Sequence, residues 1–202
     1  MRVIAGTARG RRLSAPPGRD TRPTSDRVKE ALFSALGPRL RGARVADLYA
    51  GSGALGIEAL SRGAASATFV ERSRSAQRAL SDNLSRSGLE AQAFVVRDDV
   101  RAALRTRPRG APFDIVLIDP PYDVDHRELQ EVLHLVSELT APEGVVVLEL
   151  GRRTAHPPWP ERLQPGRERR YGDTLLYEAH ALTSEALTEA DPGETGPPDE
   201  SY

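Results

Sequence analysis

Residues 45–60 read VADLYAGSGALGIEAL, and this stretch decides the fold. The run to Leu48 has the character of a short buried strand, Gly51, Gly53 and Gly56 crowd the turn that follows, and ALGIEAL resumes at helical spacing. A glycine-rich turn between a strand and a helix lets the backbone approach a ligand closely, because no Cβ stands in the way. Twenty residues after Gly51, Glu71 closes the next apolar run. The pattern fits the GxGxxG nucleotide fingerprint with its following acid, whose carboxylate can accept the protons of two ribose hydroxyls. Asp47 lies within the first strand, where a negative charge does not help a pyrophosphate but attracts an ammonium or sulfonium group. S-adenosylmethionine carries both cations and no phosphate, so it is preferred over NAD as the ligand of Asp47, Ala50, Gly51, Ser52, Gly53, Glu71 and Arg72. The plain alternative is a turn that merely packs a helix onto a sheet.

Outward from this turn, strand and helix patterns alternate: strands at 44–49, 66–71, 92–97, 113–118 and 144–150, with helices at 54–62, 73–86, 99–106 and 126–139 between them. Such alternation implies an α/β fold with a mainly parallel sheet covered on both faces. ERRYG and TLLYEAHAL flank Asp173-Thr174 too closely for a crossover, so they should form an antiparallel C-terminal hairpin at the sheet edge. Before the turn, RVIAG (2–6) and RRLS (11–14) suggest a small N-terminal hairpin. Val28, Ala31, Leu32, Ala35 and Leu36 suggest a helix capped by Thr24 or Ser25 and stopped at Gly37-Pro38. The expected division is an extension over 1–43, a main domain over 44–183 and an acidic, disordered tail over 184–202.

FDIVLIDPPYDV (113–124) is an apolar strand that stops at Asp119-Pro120-Pro121-Tyr122, since neither proline has an N–H for the ladder. Asp119 therefore falls at the carboxyl end of a parallel strand, where open α/β sheets bind ligands. Its carboxylate and the Pro120 carbonyl could accept the two hydrogens of an exocyclic NH2, and Tyr122 offers a base a flat surface to stack on. Asp98-Asp99, after the third strand, could reach the adenine amine of the donor or simply cap the next helix.

Residues 1–44 carry eleven Arg or Lys against three acids, whereas residues 185–202 carry six acids and no base. A basic end on a chain of net charge −1 points to a polyanionic partner, with Arg9, Arg11, Arg12, Arg22 and Thr24 as RNA contacts. Since a single cation is Lys, a bias toward Arg codons is the competing explanation. The absence of cysteine excludes thiolate zinc sites and thiol nucleophiles and suits a reducing cytoplasm. No apolar run is long enough to span a membrane, so a soluble cytoplasmic protein is expected, as a monomer. His126, His134, His156 and His180 lack metal-ligand spacing and no metal is expected; Trp159 should cover the core edge, and GSG is not a hydrolase elbow.

RPTSDRVKEALFSAL (22–36), DLYAGSGALGIEALSRGA (47–64), FVER (69–72), FDIVLIDPPY (113–122) and YGDTLLYEA (171–179) together resemble the bacterial 16S ribosomal RNA guanine-966 N2-methyltransferase family. The resemblance spans about residues 1–180. It implies a seven-stranded, Rossmann-like class I methyltransferase fold, S-adenosylmethionine as methyl donor, and a guanine N2 of the small subunit as acceptor. The acidic tail and the paired Asp98-Asp99 depart from the family pattern, leaving open which aspartate contacts adenine. Methylation of adenine N6, a dinucleotide-dependent oxidoreductase and a non-catalytic RNA assembly factor are the alternatives.

Overall fold

The computed structural model describes residues 1–15, 26–121, 123–152, 154–183 and 186. Five parallel strands form the body of one sheet: β1 (Arg44–Leu48), β2 (Ser66–Val70), β3 (Ala93–Val96), β4 (Phe113–Ile118) and β5 (Thr140–Gly151). β6 (Leu163–Tyr171) and β7 (Thr174–Ala181) add the antiparallel hairpin, with β7 against β5 and β6 at the edge. The order is β3-β2-β1-β4-β5-β7-β6, the seven-stranded, mainly parallel arrangement expected. The order reverses at β1, so the chain leaves β1 and β4 in opposite directions and opens a crevice at their carboxyl ends.

Alternate strand residues serve opposite layers. Val45, Phe69, Ile115 and Leu117 face α1 (Asp26–Leu36), α2 (Ala54–Ser61) and α3 (Arg74–Ser87). Ala46, Leu48, Val116 and Ile118 face α4 (Val100–Arg105) and α5 (His126–Leu139). Burial on both faces accounts for the nearly unbroken apolar character of β4, which alternation alone would not produce.

Every residue of α2 from Leu55 to Ser61 is buried, because the sheet covers one side and the N-terminal segment the other. That second cover is the small hairpin expected: Arg2 and Arg12 form an antiparallel bridge, Val3 N–H bonds the Arg11 carbonyl, Gly10 N–H the Val3 carbonyl and Leu13 N–H the Met1 carbonyl, and polar side chains of α2 take up further backbone groups. Glu58 accepts the N–H groups of Ile4 and Ala5 at 2.7 and 3.1 Å, and the Ser61 hydroxyl accepts that of Ala8 at 2.9 Å. Buried backbone donors need partners, and these two side chains substitute for a missing strand. Lys29 is also fully buried, with its ammonium donating to the Arg2 carbonyl at 2.7 Å. Burial lowers its pKa, and the nearby Glu58 and Asp26 oppose that shift.

α1 stops at Leu36, ahead of Gly37-Pro38 as expected, and a 3-10 turn over Gly37–Leu40 follows it and buries Leu40. Two boundaries differ from the sequence reading. β5 starts at Thr140, and its register with β4 breaks between Phe113 and Ile115, where Glu143 takes a positive φ of 62°. β6 reaches back to Leu163 across Pro165, which an edge strand tolerates at the register shift between Pro165 and Glu168. The Thr24 or Ser25 cap and all of the tail except Ala186 lie outside the described residues. No helix among the described residues is long and apolar enough to cross a membrane.

Candidate active site

The turn after β1 is held from two sides. From the β2 side, Glu71, 4% exposed, accepts Gly51 N–H at 2.8 Å through Oε2 and Ser73 N–H at 2.6 Å through Oε1. From the α3 side, Asn83 Nδ2 donates to the Ser52 carbonyl at 2.9 Å. Ala50 N–H bonds the Val70 carbonyl and Gly53 N–H the Ala50 carbonyl, which closes the turn.

The glycines have different tasks from the shared one expected. A Cβ on Gly53 would lie 2.3 Å from Leu80 Cδ1, and one on Gly56 would lie 2.3 Å from Phe69 Cε1. Both are small because α2 starts hard against β2 and α3, which is the packing role. Gly51 differs: a Cβ there would meet nothing closer than the Tyr49 carbonyl at 3.9 Å, so its outer side is open, and its φ of 56° favours glycine.

Asp47 faces α2, and its carboxylate, 2% exposed, accepts Gly56 N–H at 2.8 Å. Burial pushes its pKa up to about 7; the Gly56 N–H opposes the rise, and the charge of Glu71 adds to it. A carboxyl in that state is poised between neutral and ionised at neutral pH, whereas the sequence reading assumed a standing negative charge.

Of the two aspartates after β3, Asp99 is the helix cap: its Oδ1 accepts Arg101 N–H at 3.0 Å, and its Oδ2 lies 3.6 Å from Arg72 Nη1. Arg72 is thus placed across the mouth between β2 and β3. Asp98 is the exposed member of the pair and accepts Asp99 N–H at 2.8 Å.

At the neighbouring strand end, Asp119 N–H reaches the Leu48 carbonyl at 3.4 Å, which sets the Asp119-Pro120-Pro121 segment directly beside the glycine turn. Asp119 and Pro121 are half-buried and Pro120 is buried. Pro121 accepts Val124 N–H at 3.0 Å, turning the chain toward α5. Tyr122 lies outside the described residues, as do Arg22 and Thr24.

Comparison with known proteins identifies the family. Residues 1–179 match the family described as Conserved hypothetical protein 95. Ribosomal RNA small subunit methyltransferase D of Escherichia coli K12 is 36% identical over 194 residues, 95% of this chain and 94% of that one. The chain belongs to this methyltransferase D family. Its Haemophilus influenzae member is 35% identical over 150 residues, covering 74% of this chain and 78% of that one. The solved structure of a hypothetical protein of Thermus thermophilus, TTHA0928, is 33% identical with a TM-score of 0.75, over 91% of this chain and 99% of that chain. TrmN from Thermus thermophilus, at 22% identity and TM-score 0.66 over 77% of this chain and 48% of that one, shares the fold. The architecture is therefore the Rossmann-like methyltransferase fold.

Two residues at this edge escaped the sequence reading. Tyr49, directly before Ala50, has a φ of 60° and directs its hydroxyl to Glu128 Oε1 of α5 at 3.4 Å. Burial raises the pKa of that hydroxyl, and the charges of Glu128 and Asp99 add to the shift. A left-handed backbone on a tyrosine has no sequence signature, and such outliers gather at functional sites. Asn83 did leave a signal, as the one polar member of the stripe Ala76, Ala79, Leu80, Asn83 and Leu84. Elsewhere, Arg9, Arg11 and Arg12 are exposed as expected. Arg9 sits beside the carboxyl end of α2, since the flanking Thr7 and Ala8 bond Ser61, so it lies about a helix length (~12 Å) from the glycine turn. Trp159 packs half-buried against the core, and His156 meets the Tyr177 ring edge-on at 6.1 Å.

Proposed function

We propose that this protein transfers a methyl group from S-adenosylmethionine to the exocyclic N2 of a guanine in 16S ribosomal RNA, acting as a cytoplasmic monomer on the small subunit or an assembly intermediate. One observation carries the reading: the Leu48 carbonyl joins the glycine turn to Asp119-Pro120-Pro121, so a donor site and an amine acceptor site share one strand end.

The chain's residues fit the donor. Each Glu71 oxygen already accepts one backbone N–H and keeps a second lone-pair site, enough for one ribose hydroxyl each. Gly51 leaves open space on its outer side, and Asp47 supplies a second buried carboxyl, besides Glu71, for a cation. Asp98, exposed beside Asp99, which caps α4, is the better placed of the two for the adenine amine. When bound, S-adenosylmethionine supplies an electrophilic methyl group on sulfur.

Asp119 and the Pro120 carbonyl then have a positioning task. Accepting both N2 hydrogens turns the nitrogen lone pair toward the methyl carbon, and holding reacting atoms in line lowers the barrier with no strong base. As the N–C bond forms and the S–C bond breaks, the amine becomes cationic, and Asp119 takes up its proton or passes it to water. Guanine N2 is engaged in paired or stacked RNA, so the base must be splayed out to enter the crevice, with Tyr122 as its stacking surface. Arg9, Arg11, Arg12, Arg22 and Thr24, in an extension over 1–43, are assigned to the flanking RNA.

The test is methyl transfer from radiolabelled S-adenosylmethionine to free 16S RNA and to unmethylated 30S particles, followed by nucleoside analysis. Label in N2-methylguanosine supports the assignment. Label in N6-methyladenosine, or none in either substrate, overturns it.

A further inference from the structure

Asn83 is fully buried in α3 and has its amide saturated by Arg86 of the same helix and by two segments that are far apart in sequence. Its Oδ1 accepts Ser14 N–H at 2.8 Å and Arg86 Nη2 at 2.6 Å, and its Nδ2 donates to the carbonyls of Ser14 at 3.0 Å and Ser52 at 2.9 Å. The orientation of the amide follows from chemistry: Ser14 N–H and the Arg86 guanidinium are donors and must face the oxygen, which leaves the NH2 for the two carbonyls. One side chain thereby bonds both backbone groups of Ser14, at the end of the N-terminal segment, and the carbonyl of Ser52, next to the open Gly51. Glu58 and Ser61 also hold the N-terminal segment, but they reach Ile4, Ala5 and Ala8 at the body of α2 and not the turn.

We propose that Asn83 is a positioning residue for the methyl donor: it fixes the Ser52 carbonyl, and through Ser14 it makes the end of the N-terminal segment part of the donor site. The peptide whose oxygen Asn83 holds is the one that leads into Gly53, and its tilt decides where the Gly51 face lies relative to Glu71. The inference rests on the reading that this turn binds S-adenosylmethionine, and it is independent of which base is methylated.

Calorimetric titration with S-adenosylmethionine, without RNA and at a temperature where circular dichroism shows each variant folded, measures the effect directly. Asn83→Asp keeps size and acceptors but cannot donate, so it should weaken binding on the order of tenfold, the scale set by losing the hydrogen bonds of one buried amide. Leu84→Ala, one residue away and also buried, should lower stability and leave the dissociation constant within twofold. Arg86→Met, on an exposed residue that orients the amide, should fold normally and weaken binding two- to threefold. The donor should also slow hydrogen exchange at residues 11–15 as well as 50–56 in the wild type, and only at 50–56 in Asn83→Asp. Equal dissociation constants for wild type, Asn83→Asp and Arg86→Met would overturn the proposal, as would equal losses in Asn83→Asp and Leu84→Ala. If wild type itself gives no heat with S-adenosylmethionine, the donor assignment fails instead.

Discussion

The two halves of the strand edge, proposed here as donor and acceptor sites, are built in opposite ways. Around the glycine turn, Asp47, Ser52 and Glu71 are buried, and each is tied down by a bond of 2.8–2.9 Å between a side chain and a backbone group. At the acceptor end, Asp119 is half-buried and is followed by two prolines with no N–H to donate, so the strand cannot continue its ladder. The difference teaches how the work is divided. On the proposed assignment, a small, invariant ligand would meet a turn set before it arrives, whereas a nucleotide of a large RNA would bring its own geometry and complete a more open half.

The sharpest break in that comparison is Asp119→Ala. It should reduce methyl transfer by more than tenfold while leaving the S-adenosylmethionine dissociation constant within several-fold, as measured by single-turnover transfer beside calorimetry. Retention of more than a tenth of wild-type activity would remove Asp119 from the reacting centre. Next in size, Glu71→Ala should weaken donor binding by about 1.5–3 kcal/mol, the range for hydrogen bonds to a charged group. An unchanged dissociation constant would show that the carboxylate only braces Gly51 and Ser73.

Asp47 sharpens the contrast through pH. Its carboxyl, held up to about 7 by burial, binds a proton more tightly in the folded protein than in the unfolded chain. Its contribution to stability is therefore complete below the unfolded value of about 3.9 and is lost as pH rises through about 7. A bound cation favours the ionised form, so donor affinity should rise between pH 6 and 8 with release of a proton. Thermal melts and calorimetry in buffers of different ionisation enthalpy check both trends, and Asp47→Asn should flatten them. A rise in affinity as steep in Asp47→Asn as in wild type would assign the effect to another group.

The smallest effect concerns the basic N-terminal segment. Replacing Arg9, Arg11 and Arg12 by Ala should lower the slope of log affinity against log salt by about 0.7–0.9 for each phosphate no longer neutralised. Donor binding should not change, because the N-terminal segment meets the turn through the backbone of Ser14 and not through these side chains. RNA titrations at three salt concentrations decide it: parallel lines would leave the arginines as a solvated surface produced by codon bias.

Local pattern was enough for the sheet. The period of the apolar residues, the glycines after Leu48 and the paired prolines after Asp119 each report a constraint that acts within a few residues, so the strands, their helices and the C-terminal hairpin were legible in the sequence. What the tertiary structure alone decided is the set of partners. Whether Gly53 is small for a ligand or for Leu80, whether Asp47 is charged, and whether Asp99 caps or binds all depend on which elements pack against it. The N-terminal segment is the clearest case. Its own residues supply the Arg2–Arg12 bridge and the backbone bonds beside it, and the side chains that fasten it to the body are Glu58, Ser61 and Asn83, far along the chain. Hydrogen bonds across such separations leave no period in a sequence, because the polar groups that make them are chosen by where the fold brings two backbones together and not by what stands beside them.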